Sequence, residues 1–255
     1  MVSLNIIQKQ LAPLGILRAA VNLSNPLLIK TKNPSVTGVS PSLAGAIASR
    51  LEVPLQLVEF EHPDDICNAL KKGGQPWDIA LIAADPDRAS QIDFTPAYCE
   101  IQATCMVPID SPLGTFDDFN KEGVRVSVKG GGAYDLWLTR NWNEATMIRS
   151  RTLDESYLKY IDDDLEALAG LRPRLLEDLE KANNNYPSHR LIDGSFMAVQ
   201  QAIGCIKQEV TSSGSSISPG EAFLSDFVQE VRKSGGLVEQ FIEEHGMTGR
   251  LSLPQ

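Results

Sequence analysis

Apolar positions in the first hundred residues alternate between short β-rich runs and stripes at helical spacing. Residues 16–22, Ile-Leu-Arg-Ala-Ala-Val-Asn, form a compact apolar run that stops at Asn22-Leu-Ser-Asn-Pro26, a stretch of turn formers, and predict a buried strand ending in a polar loop. Leu43, Ile47 and Leu51 then fall four apart, so an amphipathic helix is expected over 40–51, with Ser40 as N-cap and Pro41 at the first helical position. Residues 54–60 and 77–83 predict a second and a third strand, separated by a helix over 64–72 that Gly73-Gly74 stops. This alternation is a run of βαβ units, which calls for a parallel sheet with right-handed crossovers and helices on its faces. Such sheets bind ligands beyond the C-terminal ends of their strands, here residues 22–25, 59–61 and 83–88.

The pattern repeats on a smaller scale. Residues 123–128 predict a strand running into Lys129-Gly-Gly-Gly-Ala-Tyr134, followed by a helical stretch over 135–142, a crossover to 165–169 and a Glu/Lys/Leu-rich helix over 173–182. After residues 196–205 come a Ser/Gly/Pro loop at 211–220 and two helical stripes, one of Phe223, Phe227 and Val231, the other of Leu237, Val238, Phe241 and Ile242. No repeat at a fixed period of about 20 to 50 residues is visible, so a solenoid is not indicated.

Composition narrows the function classes. The 255 residues are 42% hydrophobic and 22% charged, which suits a soluble globular chain of one large or two modest domains. The 23 Lys+Arg against 33 Asp+Glu give a net charge of −10 without any dense basic run, so neither a nucleic-acid surface nor an anionic membrane surface is expected. A few Arg side chains and backbone N–H groups can still hold a small anion. Cys67, Cys99, Cys105 and Cys205 form no C-x-x-C pair and no zinc-spaced cluster; they read as structural thiols, and neither a metal nor a cofactor is expected. The start lacks a basic segment followed by an apolar one, and no apolar stretch of about 18 residues occurs, so no membrane insertion is expected. With Met1 as the native start the chain is expected in the cytoplasm with reduced thiols; with an export signal removed, in the periplasm or outside the cell.

Several segments share a pattern. The run Trp77-Asp-Ile-Ala-Leu-Ile-Ala-Ala-Asp-Pro-Asp-Arg-Ala-Ser-Gln-Ile-Asp-Phe-Thr-Pro-Ala-Tyr98 resembles the family 3 extracellular solute-binding proteins, the amino-acid receptors of ABC importers, in which a strand leads to a turn, an Arg and a D-F-[ST]-x-x-Y run. Arg88, Asp93, Phe94, Thr95 and Tyr98 match it. Gly38 to Leu43 resembles the family's G-[FV]-x-x-D-L, with Ser42 in place of the acid, and Val124 to Tyr134 resembles its V-x-V-x-x-G-[ST] strand and loop. The resemblance runs from about residue 14 to about 246. It implies a two-lobed type II periplasmic-binding-protein fold of α/β class, with two crossovers between lobes and a ligand cleft between them. Lobe 1 would hold residues 1–103 and 196–255, and lobe 2 residues 104–195.

By that resemblance Arg88, which follows the turn Asp85-Pro86-Asp87, clamps a ligand carboxylate in bidentate fashion. The alternative is an ion pair with Asp85, Asp87 or Asp93. Lys129-Gly130-Gly131-Gly132-Ala133 lies between a strand and a helix, so its N–H groups can converge on an anion, with Lys129 or Tyr134 adjacent. It is neither a P-loop nor a G-x-G-x-x-G, since Asp135 takes the third glycine position; a loop that simply needs positive φ is the alternative. Amino-acid receptors commonly end the following strand in D-A-x-x-x-D, whose last acid holds the ligand ammonium. Here that position is Leu171, followed by Arg172, which would bring a second cation toward the cleft and favour a dicarboxylate, a keto acid or another anion, unless it is a solvated helix-start Arg near Arg174. Asn22, Ser24 and Asn25 after the first strand, Phe60 after the second, Ala83 after the third, and Phe196, Gln200 and Gln201 after the return are candidate lining residues by position. His62, His189 and His245 are isolated and expected at the surface.

Two functions follow. One is a binder of a small carboxylate or amino-acid-like metabolite that closes its lobes on the ligand. The other is a cofactor-independent lyase, dehydratase or isomerase on the same fold, as the cyclohexadienyl dehydratases are, with Asp85, Glu59, Lys129 and Tyr134 as acid/base candidates. A transporter partner fits the resemblance but not a chain without a visible export signal.

Overall fold

The computed structural model describes residues 2–32, 35–184, 188–207 and 217–254. The chain divides into two compact units, Met1–Glu100 with Gln200–Gln255, and Ile101–Val199.

In chain order the first unit begins with α1 (Leu4–Leu11), β1 (Leu17–Asn22), the pair β2 (Lys30–Lys32) and β3 (Ser35–Thr37), α2 (Val39–Arg50), β4 (Leu55–Phe60), α3 (Pro63–Lys71), β5 (Ile79–Ala83) and β6 (Ile92–Phe94). The strand β7 (Cys99–Pro108) leads out of it. The second unit then carries β8 (Arg125–Lys129), α4 (Ala133–Asn141), β9 (Thr146–Ser150), α5 (Leu153–Asp162), β10 (Ala167–Leu171), α6 (Arg172–Ala182) and β11 (His189–Leu191). The return is made on β12 (Met197–Ile206), and α7 (Pro219–Val231) and α8 (Leu237–Glu244) complete the first unit.

The βαβ pattern of the first unit produces the expected parallel core: β1 pairs in parallel with β4, Leu17 opposite Leu55, and with β5, Ala19 opposite Ile79. Every residue of β5 is buried, which is why its sequence is a continuous apolar run rather than an alternation. The sheet is nevertheless mixed. β12 runs antiparallel to β5, Cys205 opposite Ile79, and β6 antiparallel to β12; the all-parallel expectation fails because β12 joins β5 from the return of the chain rather than from a βαβ crossover. Trp77 is fully buried among Ile66, Ile82 and Ile92, and its indole N–H donates to the Ile66 carbonyl at 3.1 Å.

The helix expected from Ser40 starts two residues earlier. Gly38 is its N-cap, at φ 129°, and a Cβ there would lie 2.2 Å from the Leu28 carbonyl oxygen, so only glycine lets the chain pass. Ser40, inside the first turn, instead pairs its hydroxyl with that of Tyr98 at 3.0 Å.

The second unit is mixed for the same reason: β8 pairs in parallel with β9 and β10, and β10 antiparallel with β7, Leu171 opposite Ala103. The crossover expected to lead to 165–169 does so, and β10 begins there at Ala167. The loop expected at 211–220 lies mostly outside the described residues, and α7 already begins at Pro219. Phe116, Phe119, Trp137, Trp142 and Phe196 pack ring against ring, Phe119 stacking on Trp142 at 5.1 Å. All four thiols are buried, and burial raises the pKa of each, Cys205 to about 12. Among the described residues no helix is long and apolar enough to cross a membrane, and no group of three or more His, Cys, Asp or Glu could hold a metal ion.

Candidate functional site

In the first unit the candidates gather where β5 ends. The Asp85 carboxylate accepts the Asp87 N–H at 2.9 Å and its carbonyl accepts the Ala89 N–H, a turn that folds the chain back into a short 3₁₀ helix, Arg88–Ser90. Arg88 thereby returns over its own strand end, and Nη1 donates to the Ala83 carbonyl at 2.8 Å. The side chain is 4% exposed. Its Nη2 lies 3.9 Å from Oδ1 of Asp64, in the first turn of α3, an acid the sequence did not suggest as a partner. Asp93, one of the suggested partners, pairs instead with Lys207 at 3.5 Å. Gln200 is brought to the same strand end: its carbonyl accepts the Ala84 N–H at 2.8 Å, and its amide donates to Glu100 at 2.6 Å. Gln201 is buried in β12.

The two Asn residues after β1 organise their own loop. Asn22 Oδ1 accepts the N–H and hydroxyl of Ser24 at 3.1 and 2.7 Å, and Asn25 Oδ1 accepts the Leu27 N–H at 3.2 Å. Phe60 packs against the Trp77 core, and Glu59 points outward from β4.

In the second unit the glycine loop is not laid out as expected. The Gly130 N–H donates to the Ser150 carbonyl and the Gly131 N–H to Asp135 Oδ2, both at 2.9 Å, so neither is presented to an outside anion. The carboxylate at the helix's N-terminus is its own: Asp135, 3% exposed, also accepts Arg149 Nε at 2.9 Å, and Arg149 Nη2 donates to Thr139. α4 begins at Ala133, two residues earlier than expected, which shortens the loop and places Asp135 in the first turn. Lys129 is the buried last residue of β8. The Tyr134 ring folds back along Gly132, its buried hydroxyl has no hydrogen-bond partner among the described residues, and burial drives its pKa above the ordinary phenol value.

Arg172 is held by neutral groups of its own unit. Nε donates to Gln102 at 3.0 Å and Nη2 to the carbonyls of Ile192 and Gly194, which ties the start of α6 to β7 and to the segment before β12. Leu171 beside it is buried. Phe196 belongs to the aromatic cluster. Sequence reasoning missed Asp64, Asp135 and Arg149 as partners, since their pairings join positions 24 and 14 residues apart.

Solved structures share this fold. A mutant of ArgBP from T. maritima superposes with a TM-score of 0.70 at 19% identity, covering 94% of this chain and 99% of that one. The ancestral amino acid-binding protein AncCDT-1, a precursor of cyclohexadienyl dehydratase, gives 0.69 at 21% identity over 95% and 98%. The amino acid ABC transporter substrate-binding protein AbpA from Streptococcus pneumoniae, bound to L-arginine, gives 0.68 at 18% over 94% and 98%. These structures share the α/β periplasmic-binding-protein-like fold expected from the sequence. No curated protein matches the chain. Residues 17–239 match the bacterial extracellular solute-binding proteins, family 3, and the chain belongs to that family.

Proposed function

We propose that the chain binds a small carboxylate or amino-acid-like solute and that Arg88 receives its carboxylate. The observation that carries this is the setting of Arg88: a nearly buried guanidinium at the C-terminal end of a parallel strand, steered by the neutral Ala83 carbonyl. A desolvated cation gains most from a hydrogen-bonded anion, and the planar fork of Arg matches a carboxylate. Family membership supports solute binding, and the neighbour bound to L-arginine supports the ligand class. Asn22, Asn25, Ala83, Asp85 and Gln200 share or flank that end of the first unit and are the proposed lining. In the second unit Lys129, Ala133 and Tyr134 remain candidates, whereas Gly130 and Gly131 contribute shape more than N–H donors. The family's extracellular description supports the periplasmic or extracellular reading, and with it an importer as partner.

A thermal-shift screen of amino acids, keto acids and di- and tricarboxylates tests the reading: at least one class should stabilise the protein, and Arg88→Ala should lose that stabilisation while remaining folded. Unaltered stabilisation of Arg88→Ala removes Arg88 from the site. Proton NMR of the stabilising compound with catalytic amounts of protein tests the dehydratase-like alternative that AncCDT-1 brings to mind. An unchanged spectrum over hours leaves a binder; new resonances would establish turnover.

A further inference from the structure

We infer that Glu100 is a positioning residue for the proposed site: it takes the amide nitrogen of Gln200, so that the amide oxygen is the end left for a ligand, and the segment after α8 holds Glu100 in place. The inference rests on the proposed place of Gln200 in the lining.

One peptide group joins Gln200 to the Arg88 turn. The Ala83 carbonyl accepts Arg88 Nη1 at 2.8 Å, and the Ala84 N–H, on the other edge of the same planar group, donates to the Gln200 carbonyl at 2.8 Å. A planar peptide cannot turn one edge without the other, so the Gln200 backbone is set relative to that turn. The side chain is set separately. Gln200 Nε2 donates to Glu100 Oε1 at 2.6 Å, a short bond of the kind a charged acceptor makes. A carboxylate only accepts, so the nitrogen of the amide must face Glu100 and the two amide ends cannot exchange places. Gln200 Oε1 has no hydrogen-bond partner among the described residues, and it is the acceptor that this arrangement leaves at the site.

Glu100 is itself held through its backbone. Its N–H donates to the Ser252 carbonyl at 2.8 Å and its carbonyl accepts the Ser252 N–H at 3.1 Å, which makes one antiparallel bridge. Ser252 belongs to a segment with anchors of its own: Met247 and Leu251 are buried, and the Met247 carbonyl accepts the N–H groups of Arg250 and Leu251 at 2.9 and 3.1 Å. The segment after α8 thus pairs with β7 at a residue whose side chain reaches Gln200. Every group in this chain of contacts, from Met247 to Arg88, lies in the first unit.

The test is made on the unliganded protein, so its outcome does not depend on whether Arg88 holds a carboxylate. Glutamine side chains are labelled with nitrogen-15 and the hydrogen exchange of the Gln200 amide is followed by NMR, its resonances being assigned by their loss in Gln200→Met. In the wild type one Gln200 side-chain proton should exchange about tenfold more slowly than those of the exposed Gln56. Glu100→Ala should bring Gln200 to the Gln56 rate, and Glu100→Gln, which keeps an acceptor oxygen at the same reach, should restore most of the slowing. Ser252→Pro, which removes the N–H given to the Glu100 carbonyl, should speed Gln200 exchange by about threefold. The Tyr98 N–H, which donates to the Gln201 carbonyl at 2.8 Å, should be unchanged in all of these variants. A wild-type Gln200 amide that exchanges as fast as Gln56, or one that stays slow in Glu100→Ala, overturns the positioning role. Equal rates in Glu100→Gln and Glu100→Ala overturn it as well, because an acceptor at that reach would then not be what holds the amide. Fast exchange in Glu100→Ala with no change in Ser252→Pro overturns the part assigned to the segment after α8. General loosening of a variant would speed the Tyr98 N–H together with the Gln200 amide and lower the thermal midpoint, and Gln200 exchange that rises only in that company counts against the positioning role.

Discussion

The end of β5 in the first unit and the end of β8 in the second start from the same plan, a buried strand giving onto a polar turn, and finish with opposite chemistry. At β5 the turn returns a buried cation to a neutral carbonyl on one side, with the Asp64 carboxylate 3.9 Å away on another. At β8 the following helix supplies Asp135, which takes the Gly131 N–H and the Arg149 guanidinium for itself. A glycine-rich loop before a helix is therefore an anion site only when the helix does not bring its own carboxylate. At Arg88 the strand contributes a carbonyl, which orients the cation by a hydrogen bond at 2.8 Å, and the acid beside it, Asp64, stands 3.9 Å off.

The largest expected effect is at β5. Arg88→Met should weaken binding of a stabilising carboxylate by about a hundredfold, since it leaves the ligand anion without its charged partner, and calorimetry should show the loss. At β8 the corresponding effect should be on folding instead. Asp135→Ala should cost about 2 kcal/mol in urea denaturation, discounted for the partial exposure of Arg149, with ligand affinity changing far less. In that variant inorganic sulfate should recover part of the stability by standing in for the lost carboxylate, an effect the wild type should not show. Gly131→Ala should cost about 1 kcal/mol through its φ of 74°. If instead Asp135→Ala abolished ligand binding at unchanged stability, the contrast between the two strand ends would fall.

The smallest effect is in pH. Burial holds the pKa of both His189 and His245 below the ordinary 6.5, with Lys30 adding to the depression at His245. An unfolded histidine therefore binds a proton that the folded one refuses, so stability is full above about pH 6.5 and declines as pH falls through the lowered values. Titration of the two imidazole resonances should place both below 6.5; either one above it would contradict the burial assigned to that residue.

Much of the fold was legible because it rests on local patterns. The apolar run of β5, the spacing of Leu43, Ile47 and Leu51, and the Gly73-Gly74 stop all report burial and backbone freedom at neighbouring positions. What escaped depends on distant pairing. The direction of β12 is set by its partner β5, more than a hundred residues earlier, and Gly38 caps α2 because Leu28 passes against it. The same holds at the site. Asp64 lies 24 residues before Arg88 and Arg149 lies 14 after Asp135, whereas the Ala83 carbonyl and the Asp135 carboxylate are local partners, five and four residues from Arg88 and Gly131, that the motifs did not specify. His245, expected as an isolated surface residue, is joined to Ser42 at 2.8 Å for the same reason.

The central claim is that the end of β5 receives a ligand carboxylate through Arg88. The most direct measurement is native mass spectrometry of the wild type and of Arg88→Met purified identically, followed by identification of any small molecule released. The account predicts that the wild type carries a carboxylate-bearing compound that Arg88→Met lacks. The same compound carried equally by both proteins would contradict it.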